Sequence, residues 1–265
     1  MIKKRSNHAA NVQTSRLLNQ KKTHLTKSDM KKTGITAGLF IALLLTAGIS
    51  YGQSMYKETR NEGDFDKVVF GIRGELIINF GPEHRIIIEG LQSVLDDIET
   101  KVTDGRLLIV MDRPRYFKND EKVVVRITMP EIKSLSVSGS GKAILADPVI
   151  NRNLNLNVSG SGRLIAGQLE TDDMTCVISG SGNIVIEDGG SVDDADIVIS
   201  GSGNFSGESL EIDDLTASIS GSGSCNCRVN ESLEAVISGS GNITYRGNPR
   251  IDAKVSGSGR VISAR

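Results

Sequence analysis

Three pairs of adjacent aspartates are the residues of this chain whose type and spacing could bind a metal ion. They recur 20 or 21 residues apart and comprise Asp172, Asp173, Asp193, Asp194, Asp213 and Asp214. Carboxylate oxygens are ligands that calcium prefers, so a column of these pairs could bind calcium if repeat-equivalent residues lie next to one another. The alternative is a solvated bend, in which aspartate hydrogen-bonds the turn backbone while water and salt screen the repulsion. The glycine-rich signature of calcium-binding nonapeptide coils is absent, and we assign no metal site.

The sequence contains few residues from which another kind of catalytic or cofactor site could be built. His84 is the only histidine after residue 52, so neither a metal centre with several imidazoles nor a Ser-His-Asp triad can be assembled there. The segment Gly139-Ser140-Gly141-Lys142 resembles part of a phosphate-binding loop. However, Ser136 stands where the first glycine belongs, and Ala143 stands where Ser or Thr would bind magnesium. We therefore predict no catalytic residues, no cofactor and no enzymatic activity.

The element that would position these residues is the quartet Ser-Gly-Ser-Gly, which occurs seven times. The copies are 18 to 21 residues apart and begin at Ser138, Ser159, Ser179, Ser200, Ser220, Ser238 and Ser256. A recurring unit of this length is typical of a solenoid, in which each unit forms one turn and contacts only its neighbours.

The residues around each quartet alternate between apolar and polar types. Counted from the first serine, positions −5, −3, −1 and +5 are apolar in every copy except for Lys133 at −5, whereas position +4 is always polar. A period of two predicts β-strand with one buried face. One unit with about four buried side chains cannot offset the entropy lost on ordering about 20 residues. The sequence therefore predicts an all-β fold in which the seven units stack as a parallel β-helix with about 20 residues per turn.

The role of the quartet glycines is open at this point. If the strand runs straight through, both glycines face inward and let two walls approach closely, while the serines form outward hydroxyl ladders. If the glycines free the backbone for a corner, the serines line that corner and hydrogen-bond backbone groups.

The three cysteines, Cys176, Cys225 and Cys227, occupy inward positions of the repeat. Free cysteine packs as a small hydrophobic residue. A disulfide from Cys176 would have to span two turns, roughly 10 Å by the strand spacing, which exceeds the reach of a disulfide at about 7 Å between Cα atoms. We predict buried free thiols.

The N-terminal part differs in composition from the rest. Residues 1–29 are polar and basic and are either disordered or precede the true start at Met30. Residues 30–52 carry two lysines, an apolar run and small residues, which indicate the helix of a signal peptide. An uncleaved anchor is the alternative. Residues 53–63 are predicted to be a linker.

Residues 64–130 contain β-rich runs without the quartet, and residues 131–265 contain all its copies. The first region is either a cap made of irregular first turns, which a repeat array requires, or a separate small β-domain. The charge is also unevenly divided. Residues 1–52 hold nine Lys and Arg and one acid, which leaves 22 basic against 31 acidic residues in the remainder. Such an acidic surface disfavours nucleic acid and anionic lipid as partners.

The segment from Val125 to Pro130, its continuation from Leu135 to Gly141, and the copies followed by asparagine resemble the head GIN domain family of auto-transporter adhesins. Those asparagines are Asn183, Asn204 and Asn242. The resemblance extends from about residue 64 to the last residue. It implies a right-handed parallel β-helix on the surface or in the envelope of a bacterium, and it offers no catalytic residues. From the signal-peptide pattern we expect export to the periplasm, the outer membrane surface or the extracellular space, and from the short apolar run we expect no membrane span once the signal is cleaved.

We therefore expect an exported, non-enzymatic adhesin that binds a glycan or a protein through a lateral face rich in serine and asparagine. A polysaccharide-active β-helix enzyme, by analogy of fold alone, and a purely structural envelope protein are the alternatives. An uncovered last turn presents open backbone groups that can pair with another chain, so end-to-end self-association is also expected.

Overall fold

The structure is a computed structural model, and it describes residues 55–113 and 121–264. The predicted disordered segment 1–29 and the predicted signal peptide 30–52 lie outside the described residues. The described residues belong to one compact unit. No helix in the described ranges is long and apolar enough to cross a membrane.

The described residues form strands and one short helix. These are β1 (Met55–Arg60), β2 (Lys67–Phe70), β3 (Glu75–Phe80), β4 (Arg85–Leu91), α1 (Gln92–Leu95), β5 (Ile98–Thr103), β6 (Arg106–Met111), β7 (Val124–Met129), β8 (Ser134–Gly139), β9 (Lys142–Leu145), β10 (Val149–Gly160), β11 (Arg163–Gly180), β12 (Asn183–Gly201), β13 (Asn204–Gly221), β14 (Ser224–Gly239), β15 (Asn242–Arg246), β16 (Arg250–Gly257) and β17 (Arg260–Ser263).

The repeats stack in parallel, as the sequence predicts. The residue before each quartet pairs with its equivalents in the neighbouring turns, in the single file Val137, Val158, Ile178, Ile199, Ile219, Ile237 and Val255. The result is a β-solenoid of about six turns with about 20 residues each. The prediction of a parallel, all-β stack is confirmed.

In the turns of β11, β12 and β13 the chain bends at three places, which the burial pattern locates. In β11, buried residues alternate with more exposed ones until two neighbouring residues, Gly167 and Gln168, both point away from the core. The same happens at Asp172 and Asp173, and again at the quartet. Because alternate residues of a straight strand point to opposite sides, the chain must bend at each interruption to keep its apolar residues directed at one interior.

The N-terminal strands join the same sheet. β2 pairs in parallel with β8, and β3 pairs in parallel with β9, so they extend the two columns that flank the quartets. β4 lies antiparallel to β7, and β5 lies antiparallel to β6. Strand β1 lies antiparallel to β4 and falls within residues 53–63, which the sequence predicts to be a linker. That segment therefore differs from the prediction, because its backbone groups complete the edge of β4.

The inward positions of the repeat are buried in all inner turns, and they form one core with the N-terminal strands. The last turn departs from this rule. Ile251 is 43% exposed and Val255 is 45% exposed, although both stand at inward positions. Their strand β16 pairs with β14 on one side, and no described strand covers its other side. The alternation along a strand sets the direction of each side chain, but a side chain becomes buried only when another turn stacks on its own.

Lys133, the one charged residue at an inward position, stays exposed at the start of the repeats. Its ammonium group lies 2.8 Å from Asp66 Oδ2 and 3.0 Å from Glu131 Oε1. The hydrogen bond from Lys133 is the main cause that lowers the pKa of Asp66 below its ordinary value. The repeat pattern breaks here because Asp66, on the approach to β2, holds the lysine away from the core.

This ion pair predicts a measurable pH effect. Because the folded state lowers the pKa of Asp66, the pair stabilises the fold above the unfolded-state pKa of about 3.9. That stabilisation is lost as the pH falls through the lower, folded-state pKa. In a Lys133→Met variant, the pKa of Asp66 measured by NMR titration is expected to rise toward its ordinary value. The control is Lys101→Met, which removes an exposed lysine from β5. An unchanged Asp66 pKa in Lys133→Met would contradict the assignment.

Candidate binding face

The quartet forms a corner, and its first glycine makes that corner. The first glycine has a positive φ, between 88° and 125°, in all seven copies. L-residues other than glycine avoid this region. The ladder of hydrogen bonds continues around the bend, since the Ser202 N–H donates to the Gly180 carbonyl at 2.8 Å and the Asn204 N–H donates to the Gly182 carbonyl at 3.1 Å. The corner alternative is therefore the one that the structure adopts.

The second glycine provides the close approach that the other alternative required. It is buried in all copies but the last. A Cβ atom on Gly203 would lie 2.4 Å from Ile178 Cγ2 and 2.5 Å from the Gly182 carbonyl oxygen. The β-branched residue before the preceding quartet fills the space that the missing side chain leaves. Each quartet thus combines a bend with a tight contact between turns.

Both serines of every quartet are exposed at this corner. The first serines pair in register from turn to turn, so their hydroxyl groups form an outward ladder, which we call the serine corner. The polar residues at position +4 lie beside it, and Asn204 Nδ2 donates to Asn183 Oδ1 at 2.9 Å. The serine corner presents a regular series of hydroxyl groups along the solenoid.

A groove of about 410 Å³ lies on the strands that lead to the serine corner. It crosses five consecutive strands, β10 to β14, and its polar lining comes from positions −6 and −4 of the repeat. We call it the acidic groove, after lining residues that include Asp173, Asp194, Asp196, Asp214, Ser232 and Glu234. Because its strands are hydrogen-bonded in register, side chains in one column repeat at about the 4.8 Å spacing of neighbouring strands.

The structure brings three of the six predicted aspartates together. Asp173 pairs in register with Asp194, and Asp194 pairs with Asp214. Asp172, Asp193 and Asp213 stand at the bend beside them and are absent from the paired register. No group of three or more His, Cys, Asp or Glu side chains within the described ranges is arranged to hold a metal ion. Calcium binding by these six residues stays a prediction.

The last carboxylates of the column accept hydrogen bonds from the next turn. The Ser232 hydroxyl donates to Asp214 Oδ1, and Asn230 Nδ2 donates to Asp213 Oδ1 at 3.0 Å. These contacts join the two carboxylates to polar side chains of the next turn. Sequence reasoning missed Asp196 and Glu234, which join the acidic groove at position −4. The available signal was that position −4 is polar in every copy.

The carboxylates of the acidic groove have no cationic partner within the part of the chain that the structure describes. Two arginines of the later turns pair with acids elsewhere, Arg228 with Glu211 at 3.2 Å and Arg246 with Glu208 at 3.3 Å. Arg250 pairs in register with Ser232 and so stands one strand beyond the groove. No lysine or arginine lines the groove. The acidic groove therefore presents uncompensated negative charge to solvent or to a ligand.

The three cysteines and His84, whose side chains could act as nucleophiles or metal ligands, have structural roles. Cys176, Cys225 and Cys227 are buried free thiols, as predicted. Burial raises the pKa of Cys176, and a hydrogen bond with Cys227 together with burial raises the pKa of Cys225. Protonated, buried thiols are poor nucleophiles. His84 Nε2 lies 2.8 Å from the Phe65 carbonyl and Nδ1 lies 3.1 Å from Asp64 Oδ1, so the imidazole holds the segment before β2.

Several solved structures share this fold. A "putative adhesin" from Bacteroides fragilis NCTC 9343 has a TM-score of 0.76 at 24% sequence identity, over 82% of this chain and 100% of that chain. A "putative lipid binding protein" from Parabacteroides distasonis ATCC 8503 has a TM-score of 0.66 at 21% identity, over 81% of this chain and 98% of that chain. A "putative adhesin" from Parabacteroides merdae ATCC 43184 has a TM-score of 0.64 at 24% identity, with the same coverage. At these identities the likeness shows the fold alone.

No curated protein matches the chain. A family model does match, and it covers residues 64–249, which extend from the approach to β2 through six of the seven quartets. The acidic groove and all of the serine corner except its last quartet lie within this range. The chain therefore belongs to the family described as "Putative auto-transporter adhesin, head GIN domain".

Proposed function

We propose that this chain is an exported, non-enzymatic binding module of the bacterial cell envelope, and that it binds a protein partner through the acidic groove. The family description and the adhesin neighbours support a binding role. Export is supported by the signal-peptide pattern of residues 30–52. The solenoid supplies a stiff platform, because each strand is held by ladder hydrogen bonds to the turn on either side.

The observation that carries the proposal is a groove of about 410 Å³ whose carboxylates repeat in register and have no cationic partner among residues 55–113 and 121–264. Charge-assisted hydrogen bonds from Lys or Arg to carboxylate are stronger than those between neutral groups. Successive basic side chains of an extended segment could each contact one turn. Threonine and serine hydroxyl groups in the same columns add neutral contacts. The groove therefore favours a basic protein segment over a neutral glycan.

Neutralising the groove should weaken this binding. In an Asp194→Asn, Asp196→Asn and Asp214→Asn triple variant, we expect the affinity for a fluorescein-labelled deca-arginine peptide to fall at least about tenfold, because three charge-assisted contacts are lost. Fluorescence anisotropy in a salt series measures the effect. The melting temperature should not fall, since the change removes repulsion between stacked carboxylates.

The matched control is Glu170→Gln, Glu187→Gln and Asp188→Asn, which removes the same charge from exposed positions outside the groove. If both triple variants lose affinity equally, the peptide senses only net charge and the groove is not the site. Two further assays address the alternatives. Retention of the protein on neutral polysaccharide, unaffected by the groove variant, would favour a glycan ligand, and release of new reducing ends would establish an enzyme.

A further inference from the structure

The last described turn has an open edge with a specific composition. β16 pairs with β14, and β17 pairs with β15, while the other side of each strand has no partner among the described residues. Ile251, Ala253 and Val255 occupy the inward positions of β16 and are exposed. An exposed, apolar strand edge is a template for pairing with another strand.

The backbone groups at this edge can be identified from the repeat. In the second turn, the Asn155 N–H donates to the Lys133 carbonyl of the turn before, at 2.9 Å. Asp252 holds the equivalent position in β16, four residues before the quartet. Because alternate residues of a strand direct their N–H and C=O groups to opposite neighbours, Ile251, Ala253 and Val255 direct theirs to the open edge.

We propose that two copies of this chain join end to end by antiparallel pairing of their β16 strands about a two-fold axis at Ala253. In this register Ala253 exchanges hydrogen bonds with Ala253 of the second copy. Ile251 exchanges hydrogen bonds with Val255 of the second copy, and the symmetric pair does the same. All three inward residues of β16 then face apolar residues, and the interface is isologous, as in most homodimers.

The outward residues of β16 select this register by charge. Asp252 lies opposite Lys254 of the second copy, and Lys254 lies opposite Asp252, which places two ion pairs at the junction. These are non-hydrogen-bonded pairs, in which the Cα atoms approach to about 4.5 Å and the side chains are closest. Opposite charges in such pairs stabilise a sheet and like charges destabilise it.

Two neighbouring registers also use the backbone groups of Ile251, Ala253 and Val255, but they bring like charges together. With the axis at Asp252, the two Asp252 side chains face each other and Arg250 faces Lys254. With the axis at Lys254, the two Lys254 side chains face each other. Of these three registers, only the axis at Ala253 pairs Asp252 with a base. An axis at Ile251 would also pair Asp252, with Arg250, but it places Pro249, which has no N–H to donate, opposite Ala253 and leaves Val255 without a partner in β16. This self-complementarity is why we assign the open edge to a second copy of the chain.

A disulfide tests the position of the axis. In an Ala253→Cys variant of the full chain, the two introduced thiols face each other with Cα atoms about 5.5 Å apart, within the range for a disulfide. We expect a covalent dimer on non-reducing gels after mild oxidation. The control is Asp252→Cys, whose two thiols lie on a diagonal at roughly 7–8 Å, so its dimer yield should be at least about fivefold lower. The native thiols are buried.

Charge reversal tests the register independently. In the Ala253→Cys background, Lys254→Asp or Asp252→Lys alone places two like-charged pairs at the junction. The protein concentration for half-maximal cross-linking should rise on the order of tenfold. The double variant Asp252→Lys and Lys254→Asp restores opposite charges and should restore the original concentration. Lys101→Asp, on β5, is the control for net charge.

Four results would overturn the proposal, and the first three concern association and charge. These are a strict monomer of the wild-type chain in sedimentation at high concentration, a failure of Ala253→Cys to cross-link, and single reversals that cross-link as well as the double variant. Preferential cross-linking of Asp252→Cys would place the axis elsewhere and would also contradict it. The acidic groove lies on earlier turns, so loss of dimerisation would leave peptide binding there intact.

Discussion

Replacing Gly201 by alanine is expected to destabilise the protein by about 3 kcal/mol or more, a fall in melting temperature of roughly 6–12 °C. Gly201 has φ of 117°, and a Cβ atom there would lie 2.4 Å from the Gly180 carbonyl oxygen. The left-handed backbone costs an alanine about 1–2 kcal/mol, and pushing apart two packed turns adds about 1–3 kcal/mol. Thermal unfolding followed by circular dichroism measures the loss.

The repeat itself supplies the controls. Gly139 holds the same position in the first quartet, with φ of 88°, but a Cβ atom there would meet nothing within 4 Å. Gly139→Ala should therefore show only the backbone cost, about 1–2 kcal/mol. Ser202→Ala, at an exposed position of the Gly201 quartet, should stay within about 0.5 kcal/mol of wild type. Equal losses for the two glycine variants would show that contact between stacked corners contributes nothing.

These glycines mark where sequence reasoning reached its limit. The file of β-branched residues beginning at Val137 was predictable. All seven copies carry apolar residues at the same alternate positions, and they can bury that face only by stacking. The corner was not predictable. The inward position of Gly203 in the alternating pattern fits a straight strand and a bent one equally well. Which of the two forms depends on the φ angle of Gly201, two residues before it. That angle requires glycine, since residues with a Cβ atom avoid this region and a Cβ atom on Gly201 would lie 2.4 Å from the Gly180 carbonyl oxygen.

The candidate site was predictable to a similar extent. Repeat equivalence placed Asp173, Asp194 and Asp214 in one column, since identical residues at identical positions must stack. Asp196 and Glu234 were missed because their column mixes residue types, with threonine in the intervening turn. Only a three-dimensional face shows that two columns, two residues apart along each strand, line one groove.

The second large effect on stability is expected at Phe205, which occupies position +5 of the fourth quartet. Phe205 is fully buried, where the other turns carry Ala, Leu, Ile, Cys or Val. Truncation to alanine removes most of a buried ring and leaves a cavity, which costs about 3–5 kcal/mol. We expect Phe205→Ala to lower the melting temperature by roughly 6–20 °C, and urea unfolding gives the free energy directly.

The size of that loss depends on Gly207, since a Cβ atom there would lie 2.7 Å from Phe205 Cε1. The ring occupies the space that a side chain at 207 would fill, whereas the preceding turn divides the same interior between Ile184 and Ile186. Gly207→Ile alone should therefore be destabilising. The double variant Phe205→Ile and Gly207→Ile should be more stable than Gly207→Ile, because it exchanges volume within one turn. If Gly207→Ile alone were neutral, the ring would not fill that space, and the expected cavity in Phe205→Ala would lose its basis.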